Sequence, residues 1–278
     1  MGLPMSRRLV NAGYEVHAWN RTRAKAEQIS GATVHDTPAS AARQGDIVIS
    51  MLETGAVVGD VLFGIGDAAQ AIRSGALVID MASIKPAEAR DHAARLAARG
   101  IAHLDAPVSG GTVGAEQGSL VIMVGGKPAD FEHAAPVFKV FGRATHVGPH
   151  GSGQLTKLAN QMIVGISIGA VAEALLLASR GGADMAKVRE AILGGFADSR
   201  ILQVHGQRMV ERDFAPRARM AVQLKDMRNA LATASEIGFD APITQLFEKL
   251  YAQGCEHGLT DLDHAGLFVE LASRNAMA

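Results

Sequence analysis

The sequence predicts an α/β protein in two parts: a doubly wound domain built on a parallel sheet, followed by an all-helical domain. In the first half, short runs rich in Val and Ile alternate with Ala-rich segments of helical pattern. This alternation is typical of a parallel sheet covered by helices on both faces. From about Gly151 onward only helical patterns follow. We therefore expect a doubly wound domain over residues 1–150 and a helical domain over residues 151–278, joined by a long helix.

Five short runs in the first half have the length and residue types of strands. They are Glu15–Trp19, Asp46–Met51, Ala76–Asp80, Ile101–Asp105 and Leu120–Val124. Segments with helical patterns lie between them, namely Pro4–Asn11, Ala24–Gln28, Pro86–Arg99 and Asp130–Val140.

The second half predicts helices that are punctuated by glycines. The expected helices are Gln154 to about Arg180, Met185–Leu193, Ile201–Glu211, Met220–Ile237, Ile243–Gln253 and Leu262–Ala272. Gly181-Gly182, Gly194-Gly195, Gly238 and Gly258 stand where helix ends favour a residue that tolerates positive φ.

Composition limits the partners and the compartment. The 278 residues include 27 Lys and Arg against 28 Asp and Glu, so no excess of positive charge predicts binding to nucleic acid or to a membrane surface. The single cysteine, Cys255, and the lack of a secretory signal pattern fit a cytoplasmic protein. The uncharged stretch Leu158–Ala172 is shorter than the roughly 20 apolar residues of a membrane span. We expect a buried helix there.

Two short motifs have residue types suited to chemistry on a small carboxylated molecule. Ser109-Gly110-Gly111 offers a hydroxyl beside unshielded backbone amides, which together can bind a carboxylate, although an isolated motif of this kind is more often a structural turn. Lys157 stands near the domain boundary on a helix that becomes apolar directly after it, where a lysine can give a proton to a carbonyl oxygen. Asn160 and Gln161 share its helical face.

These motifs carry a resemblance to a known family. The segments MGLPMSRRLVNAGYEVHAWNRT, DAPVSGGTVGAEQG and GSGQLTKLANQMIV resemble the β-hydroxyacid dehydrogenases, whose first domain is Rossmann-like. The form Lys-x-Ala-Asn-Gln is similar to the subgroup that reduces tartronate semialdehyde. That similarity continues through Gly194–Leu202, His205-Gly206, Gln223–Met227 and Asp261–His264.

The resemblance implies a nicotinamide cofactor at the front of the first domain. Met1 and Gly2 match the end of the Gly-rich turn, but the preceding strand and the earlier glycines of the family pattern are absent, which suggests a truncated start. Asn20-Arg21-Thr22 ends the second strand of the cofactor-binding unit, whose last residues contact the ribose of the cofactor. A guanidinium there suits a 2′-phosphate, so we expect NADP to be preferred, with NAD possible. The alternative for Arg21 is a solvated surface residue, and Arg23 or Lys25 could add charge.

Further cofactor contacts follow from topology and from the resemblance. Met51, Leu52 and Ser83 come directly after strands, at the sheet edge where ligands of such folds bind, and the resemblance places them beside the nicotinamide. By the same resemblance Lys225 closes over cofactor and substrate. The resemblance also implies that Asp226 stabilises either the helix or Lys225. His205 and His264 are expected to pack or to cap helices.

The activity implied is the reduction of a small carboxylated aldehyde to a hydroxy acid, most specifically tartronate semialdehyde to glycerate. Lys157 is then the catalytic acid/base, Ser109, Gly110 and Gly111 bind the carboxylate, and either Asn160 or Gln161 contacts the substrate. The alternatives are 3-hydroxyisobutyrate dehydrogenase, succinic semialdehyde reductase, imine reduction or a non-catalytic NADP-binding module. The histidine spacing predicts no metal site. The apolar helical half predicts a homodimer or homotetramer.

Overall fold

The strands belong to two sheets in the first part of the chain. A computed structural model describes residues 1–64 and 66–277. The strands are β1 His17–Ala18, β2 Thr33–Val34, β3 Ile47–Ser50, β4 Leu77–Asp80, β5 Ala102–Asp105, β6 Val108–Ser109, β7 Leu120–Gly126 and β8 Gly142–Gly148. β1 pairs with β2 alone, while β3 to β8 form one sheet in the order β3-β4-β5-β7-β6, with β8 also beside β7.

Helices cover the first sheet region and make up nearly all of the second part. They are α1 Gly2–Asn11, α2 Arg23–Ala26, α3 Pro38–Ala42, α4 Gly55–Phe63, α5 Ala68–Ala71, α6 Pro86–Ala97, α7 Gly111–Gln117, α8 Pro128–Phe141, α9 Ser152–Arg180, α10 Met185–Ile192, α11 Arg200–Glu211, α12 Met220–Glu236, α13 Pro242–Gly254 and α14 Leu267–Arg274. The chain divides into two compact units, residues 1–157 and 158–278.

The larger sheet confirms the predicted doubly wound class in its parallel strands and adds antiparallel pairings at β7. β3, β4 and β5 run parallel, but β7 runs antiparallel to both β5 and β6. The direction reverses because β5 is followed by the short β6 and α7 rather than by a full crossover helix. The parallel order holds at β3 to β5, where the expected ligand edge lies.

Each unit has its own core. In the first unit, β4, β5 and β7 pack with α8 around Ile79, Leu104, Ile122 and Phe138. β4 is buried at every residue, whereas the edge strand β3 is half-buried throughout. In the second unit, α9, α12, α13 and α14 enclose a core that includes Leu175, Met227, Tyr251 and Phe268.

The helix α9 extends beyond the uncharged stretch Leu158–Ala172 at both ends. It runs over 29 residues, and by length and composition it is apolar enough to cross a membrane. Several of its residues nevertheless lie in the core of the second unit, among them Ile168, Ala172, Leu175 and Leu176. Of its most apolar 18-residue window 33% is buried, so the helix packs one side on the core and is only in part the buried helix that the sequence predicts.

The last predicted helix, Leu262–Ala272, is also corrected. The chain forms a short 3₁₀ turn over His264–Gly266 before α14 begins at Leu267. The Asp263 carboxylate accepts a hydrogen bond from the Ala265 amide and so caps the start of this 3₁₀ turn.

Candidate active site

Three strand ends meet at one edge of the sheet in the first unit. Ser50, Asp80 and Asp105 are the last residues of β3, β4 and β5, and they are neighbours in register. The Ser50 hydroxyl donates a hydrogen bond of 2.7 Å to Asp80 Oδ1. Met51, Leu52 and Ser83, which the sequence predicts as cofactor contacts, follow these ends directly. The edge therefore has the topology of a ligand site in a doubly wound fold.

Two fully buried carboxyl groups lie beneath this edge. Burial raises the pKa of Asp80 to about 7, against the opposing effect of hydrogen bonds from Ser50 and the Ala82 amide. Burial also raises the pKa of Asp105, where the amides of Gly151 and Gln154 oppose the shift. A buried carboxyl group is expensive unless hydrogen bonds satisfy it, so these side chains organise the backbone around them.

Asp105 fixes the start of α9, the helix that carries Lys157. Its Oδ1 accepts from the Gly151 amide at 2.7 Å, and its Oδ2 accepts from the Gln154 amide at 2.9 Å. A side chain at Gly153 would lie 2.4 Å from the carbonyl oxygens of Asp105 and Met123. Only glycine allows this close approach of the helix to the strand ends. Lys157 follows one turn later and is 9% exposed.

The predicted carboxylate-binding turn follows the short strand β6. Gly110 and Gly111 have φ values of 134° and 64°, a region that favours glycine. Both residues are exposed, and a side chain at Gly111 would meet nothing within 4 Å. Ser109, half-buried, pairs with Val121 of β7. The turn is therefore joined to β7 at Ser109 and exposed at its two glycines.

The residues expected to hold the dinucleotide phosphates lie around α1. Met1 is the N-cap of α1 and makes no side-chain capping bond there, which suits a helix start that receives an anion. A side chain at Gly2 would lie 3.9 Å from the Met51 side chain, so Gly2 and Met51 are close neighbours. The structure contains no strand before α1, so the first Gly-rich positions of the family pattern have no counterpart among the described residues.

The segment expected to read the ribose is exposed. Asn20 Oδ1 accepts from the Thr22 amide at 2.9 Å, which shapes the turn into α2. Arg23 is bound to the carboxylates of Glu27 and Asp36. These pairs occupy the charge that Arg23 was expected to offer, while Arg21 is exposed.

The second unit contains a hydrogen-bonded cluster around Gln161. Its Nε2 donates to Asp226 Oδ2 at 2.8 Å, and its Oε1 accepts from Asn160 Nδ2 at 2.9 Å. Asp226 also forms an ion pair with Lys225 at 3.3 Å. Both ends of the Gln161 amide are thus used within the protein. Asn160 Nδ2 is used in the same cluster, so the choice between these two amides as the substrate contact stays a prediction.

The spacing of histidines along the sequence did not reveal one cluster of side chains that are able to bind a metal ion. His205, Asp263 and His264 bring their ligand atoms within 4.8 Å of one another, although His205 lies far in sequence from the adjacent pair Asp263-His264. The Arg208 guanidinium already lies there, 3.0 Å from Asp263 Oδ1 and 3.2 Å from His205 Nδ1. Burial opposes ionisation of Asp263, but hydrogen bonding from His205 and the nearby His264 and Arg208 lower its pKa. Asp263 therefore already has an ion-pair partner in Arg208 within this cluster.

Comparisons with known proteins agree with this arrangement. The strand-end edge, the start of α1 and the buried lysine are the features expected of a nicotinamide-dependent oxidoreductase. Residues 1–149 match the family model described as the NAD binding domain of 6-phosphogluconate dehydrogenase. Residues 151–270 match the one described as NAD-binding of NADP-dependent 3-hydroxyisobutyrate dehydrogenase. The chain therefore belongs to the β-hydroxyacid dehydrogenase family, whose members are NAD(P)-dependent hydroxyacid dehydrogenases.

Individual relatives cover the whole chain. It is 40% identical to 2-hydroxy-3-oxopropionate reductase of Escherichia coli, with 100% of this chain and 97% of that protein covered. The fold matches 3-hydroxyisobutyrate dehydrogenase of Mycobacterium tuberculosis, solved with L-serine, at a TM-score of 0.90 and 30% identity, covering 98% and 95% of the two chains. An imine reductase from Pseudomonas sp. has a TM-score of 0.64 at 21% identity, covers 98% and 96%, and shares the fold alone.

Proposed function

We propose that this chain reduces tartronate semialdehyde to glycerate and prefers NADPH. The proposal is supported by the 40% identity, over the full chain, to a 2-hydroxy-3-oxopropionate reductase. A structural relative solved with L-serine, which has a carboxylate and a primary hydroxyl, supports a small substrate of this kind. The observation that carries the proposal is the buried Lys157, held in the first turns of α9.

The donor groups of the first unit suit the cofactor and the substrate. The uncapped start of α1 would hold the pyrophosphate, and Arg21 would meet the 2′-phosphate. Met51, Leu52 and Ser83 would lie beside the nicotinamide, and Lys225 remains a predicted cofactor contact. When bound, the nicotinamide supplies a hydride to the aldehyde carbon.

The chain's own residues then bind the substrate and move one proton. Ser109 and the amides of Gly110 and Gly111 hold the carboxylate and fix the aldehyde in orientation. Lys157 Nζ gives its proton to the aldehyde oxygen as the carbon is reduced, so that an alcohol is formed. Asn160, one turn after Lys157, orients the substrate hydroxyl or the lysine. In the reverse direction Lys157 accepts the proton.

The substrate is tested by measuring NADPH oxidation with three aldehydes. Tartronate semialdehyde should give the highest kcat/KM, ahead of methylmalonic and succinic semialdehydes. Both competitors lack the 2-hydroxyl of tartronate semialdehyde, and a site that hydrogen-bonds a substrate hydroxyl discriminates strongly against an analogue without it. A higher kcat/KM for either competitor would reassign the substrate within the family. Binding of NADPH without turnover of any aldehyde would favour the non-catalytic module.

Substitution of Lys157 tests the proton-transfer role. Lys157→Ala should lower kcat by about 100- to 10,000-fold, because general acid catalysis contributes that much. NADPH binding, followed by fluorescence titration, should stay within about threefold, because the lysine acts on the substrate. Lys187→Ala is the control, since Lys187 is a surface residue paired with Glu190. Wild-type kcat in Lys157→Ala would exclude the assigned role.

A further inference from the structure

A buried amide connects the helix of Lys157 to the loop after β4. Gln154 lies one turn before Lys157 and is fully buried. Its Nε2 donates to the Ala82 carbonyl at 2.8 Å, and its Oε1 accepts from the Ile84 amide at 3.0 Å. Because one partner is an acceptor and the other a donor, only this orientation of the amide satisfies both. The two bonds flank Ser83, a predicted nicotinamide contact.

The backbone amide of Gln154 makes a further hydrogen bond, to a different strand end. The Gln154 amide hydrogen bonds to Asp105 Oδ2, so Gln154 joins the end of β5 to the loop that follows β4. On that loop the Ala82 amide donates to Asp80 Oδ1 at 3.1 Å, and Asp80 accepts in turn from Ser50. A connected set of hydrogen bonds therefore runs from β3 through β4 to the start of α9, and Gln154 is its link to the helix.

We propose that Gln154 is a positioning residue that sets Lys157 at its working distance from the nicotinamide loop. The inference rests on the proposed function, because it acts through Lys157. Gln154 touches neither cofactor nor substrate in this role. A displacement of about 1 Å between reacting groups can cost about 100-fold in rate, so a fixed spacing between the proton donor and the loop matters directly.

The chemistry of the link requires an amide of this length. Methionine has similar volume and flexibility but can replace neither bond, so the Ala82 carbonyl and Ile84 amide would be left unpaired. Glutamate can accept from Ile84, yet only its protonated form can also donate to the Ala82 carbonyl. Burial near Asp80 and Asp105 favours the protonated acid at low pH and strains the link when the acid ionises.

The first test compares Gln154→Met with Thr156→Val, a control on the same turn of α9. Among the described residues the Thr156 hydroxyl donates to the Ser152 carbonyl, within the helix. With tartronate semialdehyde and NADPH, Gln154→Met should lower kcat by about 10- to 100-fold while KM and the Kd for NADPH stay within about threefold. Thr156→Val should retain wild-type values. Wild-type kcat in a folded Gln154→Met variant overturns the proposal, as does an equal loss in both variants.

The second test uses pH and works even if Gln154→Met does not fold. The ratio of kcat in Gln154→Glu to wild-type kcat should be highest at low pH and fall at least tenfold as the glutamic acid ionises. A purely volume-filling role would give a constant ratio, and that result overturns the proposal. Asp60→Asn, a change at an exposed carboxylate, is the control: the ratio of its kcat to wild-type kcat should not change with pH.

Hydrogen exchange separates failure of this inference from failure of the proposed function. An inactive wild-type protein would contradict the proposed function, and the link would then be judged by exchange alone. The amides of residues 82–84 and of the first turn of α9 should exchange at least tenfold faster in Gln154→Met than in Thr156→Val. Equal exchange in the two variants overturns the link.

Discussion

Arg21 and Arg23 stand two residues apart but differ in what surrounds their guanidinium groups. Arg23 is neutralised by Glu27 and Asp36, while Arg21 is exposed beside the Asn20–Thr22 turn. Arg21→Ala should therefore weaken NADPH binding by about 10- to 100-fold, the loss expected for a charge-assisted hydrogen bond of about 1.5–3 kcal/mol. NADH binding should change little. Fluorescence titration with both cofactors measures the difference.

Arg23→Ala is the matched control for that experiment and should keep the preference for NADPH. Equal weakening of NADH and NADPH in Arg21→Ala would show that the residue shapes the turn and does not read the phosphate. Loss of the preference only in Arg23→Ala would transfer the role to that residue.

Asp80 makes the stability of the protein depend on pH near neutrality. Its pKa in the folded protein is about 7, whereas an unfolded aspartate titrates near about 3.9. Between these values the folded state holds a proton that the unfolded state has released. Stability therefore falls as the pH rises through this window, by on the order of 1–4 kcal/mol, and the loss is complete above the folded pKa.

Asp80→Asn should remove this contribution, because the amide oxygen can still accept from Ser50 and Ala82 without becoming charged. Urea unfolding at pH 5.5 and pH 8 measures it. The variant should lose less stability than wild type between these two values, while Asp60→Asn should behave as wild type. An identical pH dependence in Asp80→Asn and wild type would contradict the assignment.

At the scale of elements, the start of α9 depends on close packing against β5 and β7. Gly153→Ala would place a methyl group against two backbone carbonyls that cannot move aside. We expect a loss of about 1–3 kcal/mol in the free energy of unfolding, measured in urea, as for other overpacked sites. Gly181→Ala, where the nearest atom lies at 3.4 Å, should cost much less. Similar losses at both positions would show that no special contact exists at Gly153.

The elements that sequence could predict were those with strong periodicity. The apolar runs around β3, β4, β5 and β7 and the long helices were located to within a few residues. β2 and β6 have two residues each, too short for a pattern, and β8 alternates only half-buried and exposed positions. The antiparallel direction of β7 depends on its partner strands, which local sequence does not reveal.

The candidate site was predictable where a motif lies within one segment. Lys157 and Ser109-Gly110-Gly111 could be singled out because their neighbours in sequence carry the pattern. Gln154 could not, because its partners Ala82 and Ile84 lie far away in sequence. His205 and His264 were likewise known as single residues, but their shared contact with Asp263 appears only in the fold.

At the scale of the whole molecule, the apolar exposed residues of α9 predict self-association. Ile163 and Leu177 are 67% and 75% exposed, and the helical period of about 3.6 residues puts them on the same side of the helix. Monomeric proteins seldom leave such a surface uncovered. We expect a homodimer or homotetramer at micromolar concentration, measured by analytical ultracentrifugation.

Leu177→Glu should shift that assembly toward monomer, because a charge would be buried at the interface. Glu190→Gln, at an exposed carboxylate on α10, should not. A monomeric wild-type protein would contradict the prediction. Flotation of the protein with lipid vesicles would instead assign the apolar side to a membrane.

The contact between Asp105 and the start of α9 also determines how the chain can be cut into fragments. The two family matches meet between residues 149 and 151. A fragment ending at residue 150 would lose both amide donors to Asp105, at about 1–3 kcal/mol for each unsatisfied bond. It would also expose the backbone groups that Gln154 pairs. A nucleotide-binding fragment for expression or crystallisation must therefore continue through Lys157, beyond the boundary that sequence families suggest.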